Sequence, residues 1–299
     1  MTIGERFQLH DRALNRPSPL RLWMLVWLVV SLAQTVGCGK TNVQPSTPPA
    51  PIDFAEALQY ASRAALVYES DDVIAQRGEP GHRFAISPIS PLGAKTFVET
   101  DEARRIQWVV VRGTANLNNI KMDIDYNKVV DERLQVPLHK GFADTALFAY
   151  RFAKPLLRPG YEIRVTGHSL GGAAAAIVLM LLKEDGAVLG RAMTFGQPKV
   201  TNREGVRKYR SLPLLRFVND KDPVPLMPPL EIFAFLDEGS FRHFGPEVVL
   251  EDGAAYRYYS DHDAERLSIA SFWRNLSGQD IPDHFIKNYI DRLQQKLAR

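Results

Sequence analysis

Cysteine occurs once in the 299 residues, at Cys38, so no disulfide can form within the chain. No Cys/His spacing of a structural zinc site is present and no H-E-x-x-H, which removes the common metal motifs. No run of five like charges occurs: 37 Lys and Arg are interspersed with 34 Asp and Glu, for a net charge of +3. That balance offers no basic stripe for nucleic acid. There are no internal repeats, which argues against a solenoid. What the chain does have is 45% hydrophobic residues, enough for a sizeable core.

The N-terminus reads as a targeting segment. Arg6, Arg12, Arg16 and Arg21 precede an uncharged stretch, Leu22 to Val36, whose 15 residues fall short of the roughly 20 that span a bilayer. Basic region, apolar stretch and small residues in that order predict a secretory signal over 1–37. The segment "TVGCGK" resembles a bacterial lipobox, in which cleavage occurs before a cysteine that is then lipidated. Val36 and Gly37 fit; Thr35 departs from the usual leucine. The expectation is lipidation of Cys38, a membrane anchor at that residue, and a Pro-rich tether over 38–51 ("TNVQPSTPPAP"). Gly39, rather than Asp, implies the outer membrane of a Gram-negative cell. An uncleaved anchor, or a secreted protein whose cysteine is incidental, is the alternative.

Residues 52–299 are expected to form one domain. "IDFAEALQYASRAALVY" has helical apolar spacing. "RFAISPIS" and "AKTFVET" read as short strands, and "RIQWVVVRG" as a central parallel strand. A helix over "GFADTALFAYRFAKPLL" follows, then a strand "EIRVTG" and a deeply buried helix "LGGAAAAIVLMLLKED". "AMTFG" and "LLRFVN" continue as strands, "SFRHFGPEVVLED" as a strand pair or one bent strand, and "HFIKNYIDRLQQKLAR" as a C-terminal helix. Alternating strands and helices predict an α/β fold with a mainly parallel sheet.

Within that alternation, Gly167-His168-Ser169-Leu170-Gly171 is a G-x-S-x-G motif with a strand before it and a helix after it, the context such a motif needs to present a nucleophile. A sharp strand-to-helix turn projects the Ser169 hydroxyl, and the flanking glycines remove clashing side chains. The Leu170 N–H falls where a helix leaves amides unpaired, so it is a candidate donor to an oxyanion. The plain alternative is a glycine-rich junction capped by a serine. His168 is adjacent to Ser169, but neighbours at such a turn point apart, so it is expected to be structural.

Five ordered segments then resemble the class 3 lipases: "VVVRGT" (109–114), "HKGF" (139–142), "VTGHSLGGAAA" (165–175), "TFGQPKVTN" (194–202) and "RFVNDKDPVPLMPP" (216–229), with "RHFGPE" and "DHFIKNY" following in order. The resemblance implies an α/β-hydrolase-like fold, a lipid or other ester substrate, no cofactor, no metal and no obligate protein partner. It implies a triacylglycerol lipase, or on the same triad a phospholipase A1 or short-chain esterase. An inactive lipid- or partner-binding relative is the alternative of another class.

The resemblance also distributes roles. Of Asp220 and Asp222, the second matches the family's D-x-V-P acid, and Pro223 and Pro225 would stiffen its loop. Of His243, His262 and His284, the last matches the catalytic D-H, with Asp283 set to cap the final helix and His243 the competitor. Thr114 stands where the family supplies the second oxyanion donor, supported by Asp123. Residues 115–124, with Leu117, Ile120, Met122 and Ile124, correspond to the lid; Ile120 replaces a frequent tryptophan, which weighs against strong interfacial activation. The apolar run 225–236 lines an acyl pocket or is simply core.

Overall fold

The computed structural model describes residues 43–77, 81–113, 127–227, 240–264, 267 and 281–298. Cys38, Thr114, Asp123, the segment expected as the lid and positions 228–236 of the apolar run lie outside the described residues.

Among the described residues, these strands and helices follow in chain order: α1 (Phe54–Leu66), α2 (Asp71–Gln76), β1 (His82–Ile86), β2 (Thr96–Asp101), β3 (Ile106–Val111), β4 (Lys128–Val130), β5 (Pro137–His139), α3 (Lys140–Ala153), β6 (Glu162–His168), α4 (Leu170–Glu184), β7 (Leu189–Phe195), α5 (Arg203–Tyr209), β8 (Leu214–Asn219), β9 (Glu247–Leu250), β10 (Tyr256–Tyr259) and α6 (Ile286–Leu297). Eight strands form one sheet in the order β1-β2-β3-β6-β7-β8-β9-β10. The run from β3 to β9 is parallel, while β1, β2 and β10 are antiparallel additions at the edges. This is the α/β-hydrolase arrangement.

Strand alternation sorts the core into two layers. Val109, Val111 and Val165 face α3 and α4, whereas Trp108, Val110, Met193, Phe195 and Phe217 face α1 and α6. α4 is apolar on every side for its first three turns, and every residue from Gly171 to Leu182 is buried. α1 is preceded by Asp53, whose carboxylate accepts the Glu56 N–H at 2.8 Å, an N-cap that fixes the helix start.

Several expected boundaries shift for local reasons. The "RIQWVVV" strand is parallel only toward β6; its other neighbour, β2, is antiparallel. β1 stops at Ile86, two residues before Pro88, which has no N–H to continue the ladder. In "SFRHFGPEVVLED" only Glu247–Leu250 is a strand, because Gly245 at φ +82° and Pro246 bend the chain ahead of it. The last helix starts at Ile286, preceded by a 3-10 turn over Ile281–His284. Residues 43–46 are docked on the domain: Val43 is buried, and the Ser46 N–H donates to the Tyr258 carbonyl at 2.8 Å.

Candidate active site

Strand β6 ends at His168 and helix α4 begins at Leu170, leaving Ser169 alone to turn the chain. It does so at φ +59°, ψ −133°, a conformation costly for any residue with a Cβ. The turn is tight enough to explain its glycines. A Cβ on Gly167 would lie 2.3 Å from the Gly171 carbonyl oxygen, and one on Gly171 would lie 2.3 Å from that of Val111. Both obstacles are backbone and cannot swing aside. Gly171→Ala is therefore expected to cost more than about 3 kcal/mol or to prevent folding, read from urea unfolding beside the wild type. A loss under 1 kcal/mol would show that the elbow is looser than described.

Ser169, His284 and Asp222 meet in a line. His284 Nε2 is 2.8 Å from Ser169 Oγ, and His284 Nδ1 is 2.7 Å from Asp222 Oδ2. All three side chains are buried. The carboxylate has no slack: Oδ1 accepts the Val224 N–H at 2.8 Å, and Oδ2 also accepts the Tyr289 hydroxyl. Burial alone would push the Asp222 carboxyl up. The His284 charge and the hydrogen bonds from His284, Tyr289 and Val224 outweigh it and hold the group below the usual carboxylate range. An ionised carboxylate beside the imidazole favours the Nδ1–H tautomer and would stabilise an imidazolium.

The turns carrying Asp222 and His284 are tied together. Asn219 Nδ2 donates to the Asp283 carbonyl at 2.8 Å, and the Asp283 carboxylate accepts the Lys221 N–H at 3.0 Å and pairs with Arg292 at 2.9 Å. Asp283 thus fixes its loop through β8 and α6 and does not cap the helix; the residue at the cap position of α6 is Phe285. Gly196, at φ +57°, packs where a Cβ would come within 2.9 Å of both Asp222 Oδ2 and the His284 ring. Tyr289, Asn219, Arg292 and Gly196 are members of the site to which local sequence patterns assign no role, although Tyr289, Asn219 and Gly196 stand in the segments quoted above.

The other aspartate and histidines weighed from the sequence lie elsewhere. Asp220 is exposed and paired with Arg257. His262 is exposed beside Asp263. His243 is buried and donates from Nε2 to the Pro225 carbonyl at 2.7 Å, bracing the turn after the acid; burial, Arg216 and Lys199 push its pKa far down. His168 points away from Ser169 Oγ, toward the His284 backbone. The Leu170 N–H lies in the first turn of α4, where amides have no acceptor within the helix.

A Ser–His–Asp line at a strand–helix elbow of a mainly parallel eight-stranded sheet defines an α/β-hydrolase with the layout of a serine hydrolase. Residues 108–232 match the family model described as Lipase (class 3). The chain is 30% identical over 184 residues to the secreted mono- and diacylglycerol lipase 1 of Fusarium solani, covering 57% of this chain and 53% of that protein. It is 30% identical over 156 residues to a lipase of Rhizomucor miehei, covering 48% and 43%. The chain thus spans about half the length of the curated relatives it matches. Among solved structures, a lipase from Rhizopus microsporus var. chinensis superposes with a TM-score of 0.64 at 22% identity, covering 82% of this chain and 92% of that one. A triacylglycerol lipase whose catalytic centre is a serine protease triad superposes at 0.60 with 22% identity, covering 81% and 95%. These two likenesses fix the fold.

Proposed function

We propose that the chain is a carboxylic-ester hydrolase of the triacylglycerol lipase type, working through a covalent acyl-enzyme. The observation that carries the reading is the unbroken Ser169–His284–Asp222 line, with both contacts under 3 Å and the carboxyl held below its usual range by its partners. His284 Nε2 takes the hydroxyl proton as Ser169 Oγ attacks the ester carbonyl. The oxyanion is received by the Leu170 N–H and by Thr114, the donor that the family resemblance supplies. His284 then protonates the leaving alcohol, and water, deprotonated by the same histidine, releases the acid.

The same proposal includes an extracytoplasmic location, with Cys38 as a lipidated anchor residue following the signal segment 1–37, or secretion if that cysteine is incidental. Support comes from the "TVGCGK" segment and from a similar fungal protein that is itself secreted. Among the described residues, no helix is long and apolar enough to cross a membrane.

The test is a fluorophosphonate probe followed by a substrate panel of emulsified triglyceride, diacylglycerol, phospholipid and short p-nitrophenyl esters. Expected are labelling at Ser169 and turnover of glycerides. Labelling with turnover of phospholipid alone would replace lipase by phospholipase, and absence of labelling would leave a binding protein.

A further inference from the structure

His168 makes two hydrogen bonds whose donors and acceptors are forced. Its Nε2 is 2.6 Å from the His284 carbonyl oxygen, which can only accept, so the proton sits on Nε2. Nδ1 must then accept, and its partner at 3.2 Å is the Tyr68 hydroxyl, delivered from the residues just after α1. The Tyr68 oxygen in turn accepts the Gly113 N–H at 3.2 Å. The result is a one-way string: Gly113 N–H to Tyr68 O–H to His168 Nδ1, then His168 Nε2–H to the His284 carbonyl.

The string joins three separate parts of the site. Gly113 lies two residues past the end of β3 and is the residue before Thr114. His168 adjoins the nucleophile. The His284 ring lies over that of His168, centroids 4.6 Å apart. The packing is close at the Gly113 end: a Cβ there would lie 2.5 Å from the Tyr68 hydroxyl and 2.5 Å from the His168 carbonyl oxygen. Protonating His168 would put a hydrogen on Nδ1, where Tyr68 already donates. Burial, with the neighbouring His284 charge, pushes the His168 pKa down to about 3 and keeps the ring neutral.

We propose that His168 and Tyr68 are positioning residues of the hydrolase site, a neutral string that locks the backbone of the base and the backbone at Gly113 onto the nucleophile elbow. The proposal rests on the hydrolase reading above. Neither residue touches the reacting atoms; each acts through the placement of His284 and Gly113.

Four variants separate the links. Tyr68→Phe keeps the ring and removes the hydroxyl. His168→Asn keeps an acceptor on the Tyr68 side, His168→Gln keeps a donor on the His284 side, and His168→Phe keeps neither. With a soluble p-nitrophenyl ester, kcat is expected to fall up to ~100-fold in His168→Phe and less in the Asn and Gln variants, with KM within about twofold, because base and oxyanion geometry are displaced while substrate contacts remain. Adding Tyr68→Phe to His168→Phe should cost little more, since one string is cut only once. Nitrogen-15 NMR of the folded protein at pH 7 should show His168 as the Nε2–H tautomer. Folded Tyr68→Phe and His168→Phe proteins with wild-type kcat would overturn the proposal, as would an Nδ1–H or charged His168. If the wild type itself neither hydrolyses esters nor reacts with a fluorophosphonate, the hydrolase reading fails instead, and the NMR tautomer still decides whether the string exists.

Discussion

Replacing Ser169 by glycine should abolish ester hydrolysis, a fall of about 10⁶-fold in kcat, and yet leave a protein more stable than the alanine variant. The loss of activity follows from removing Oγ, the atom 2.8 Å from His284 Nε2. The stability order follows from the backbone. At ordinary sites alanine outranks glycine by about 0.5–1 kcal/mol, because glycine has more unfolded-state freedom to lose. Ser169 sits at φ +59°, ψ −133°, where any Cβ is strained by roughly 1–3 kcal/mol. Alanine keeps that strain and glycine releases it, so the usual order should reverse by about 1 kcal/mol. Both variants lose the same hydrogen bond to His284, which therefore cancels in the comparison. Urea unfolding of the two variants, with fluorophosphonate labelling of the wild type, measures both effects. Alanine matching or exceeding glycine in stability would refute the strained elbow. Wild-type hydrolysis by either variant would place the nucleophile elsewhere.

The sharp turn at Ser169 was legible from sequence, and the reason is locality. "EIRVTGHSLGGAAAAIVLMLL" carries its strand, turn and helix within 20 or so residues, so each pattern reinforces the next. Asp222 and His284, the proposed acid and base, were picked out in a different way, through their order after Ser169 and through resemblance. The choice of Asp222 over Asp220 rests on two residues of sequence but on large differences in space: one carboxylate is buried among three donors, from Val224, His284 and Tyr289, and the other is exposed and paired with Arg257. The supporting residues were not legible, because they come from far away. Tyr68 reaches His168 across 100 positions, and Tyr289 reaches Asp222 across 67. No periodicity encodes such contacts. Strands β4, β5 and β10 escaped for a simpler reason. Three or four residues are too few to display an alternation, and pairing with a neighbour, not composition, makes them strands.

The crowding around Asp222 leads to the second large effect. Asp222→Asn should lower kcat by about 10⁴-fold while the protein stays folded. An asparagine offers one oxygen and one NH₂ where the carboxylate has two acceptors. The Val224 N–H at 2.8 Å demands the oxygen on the Oδ1 side, since an NH₂ there would face another donor. The NH₂ group is then left at the Oδ2 position, where His284 Nδ1 and the Tyr289 hydroxyl both expect an acceptor. His284 can meet an NH₂ only by presenting an unprotonated Nδ1, which moves its proton to Nε2. Nε2–H then faces Ser169 Oγ as a donor and cannot take the hydroxyl proton. The geometry of the triad survives but its polarity is reversed, so the base is lost without any displacement of atoms. Tyr289 adds an independent check. In the asparagine variant its hydroxyl has lost its acceptor, so Tyr289→Phe in that background should be nearly neutral for activity, whereas in the wild type it removes a hydrogen bond to the ionised acid. Steady-state kinetics on the two single variants and the double variant measure this. An Asp222→Asn enzyme within tenfold of wild type would exclude Asp222 as the acid of the triad and return the assignment to another carboxylate.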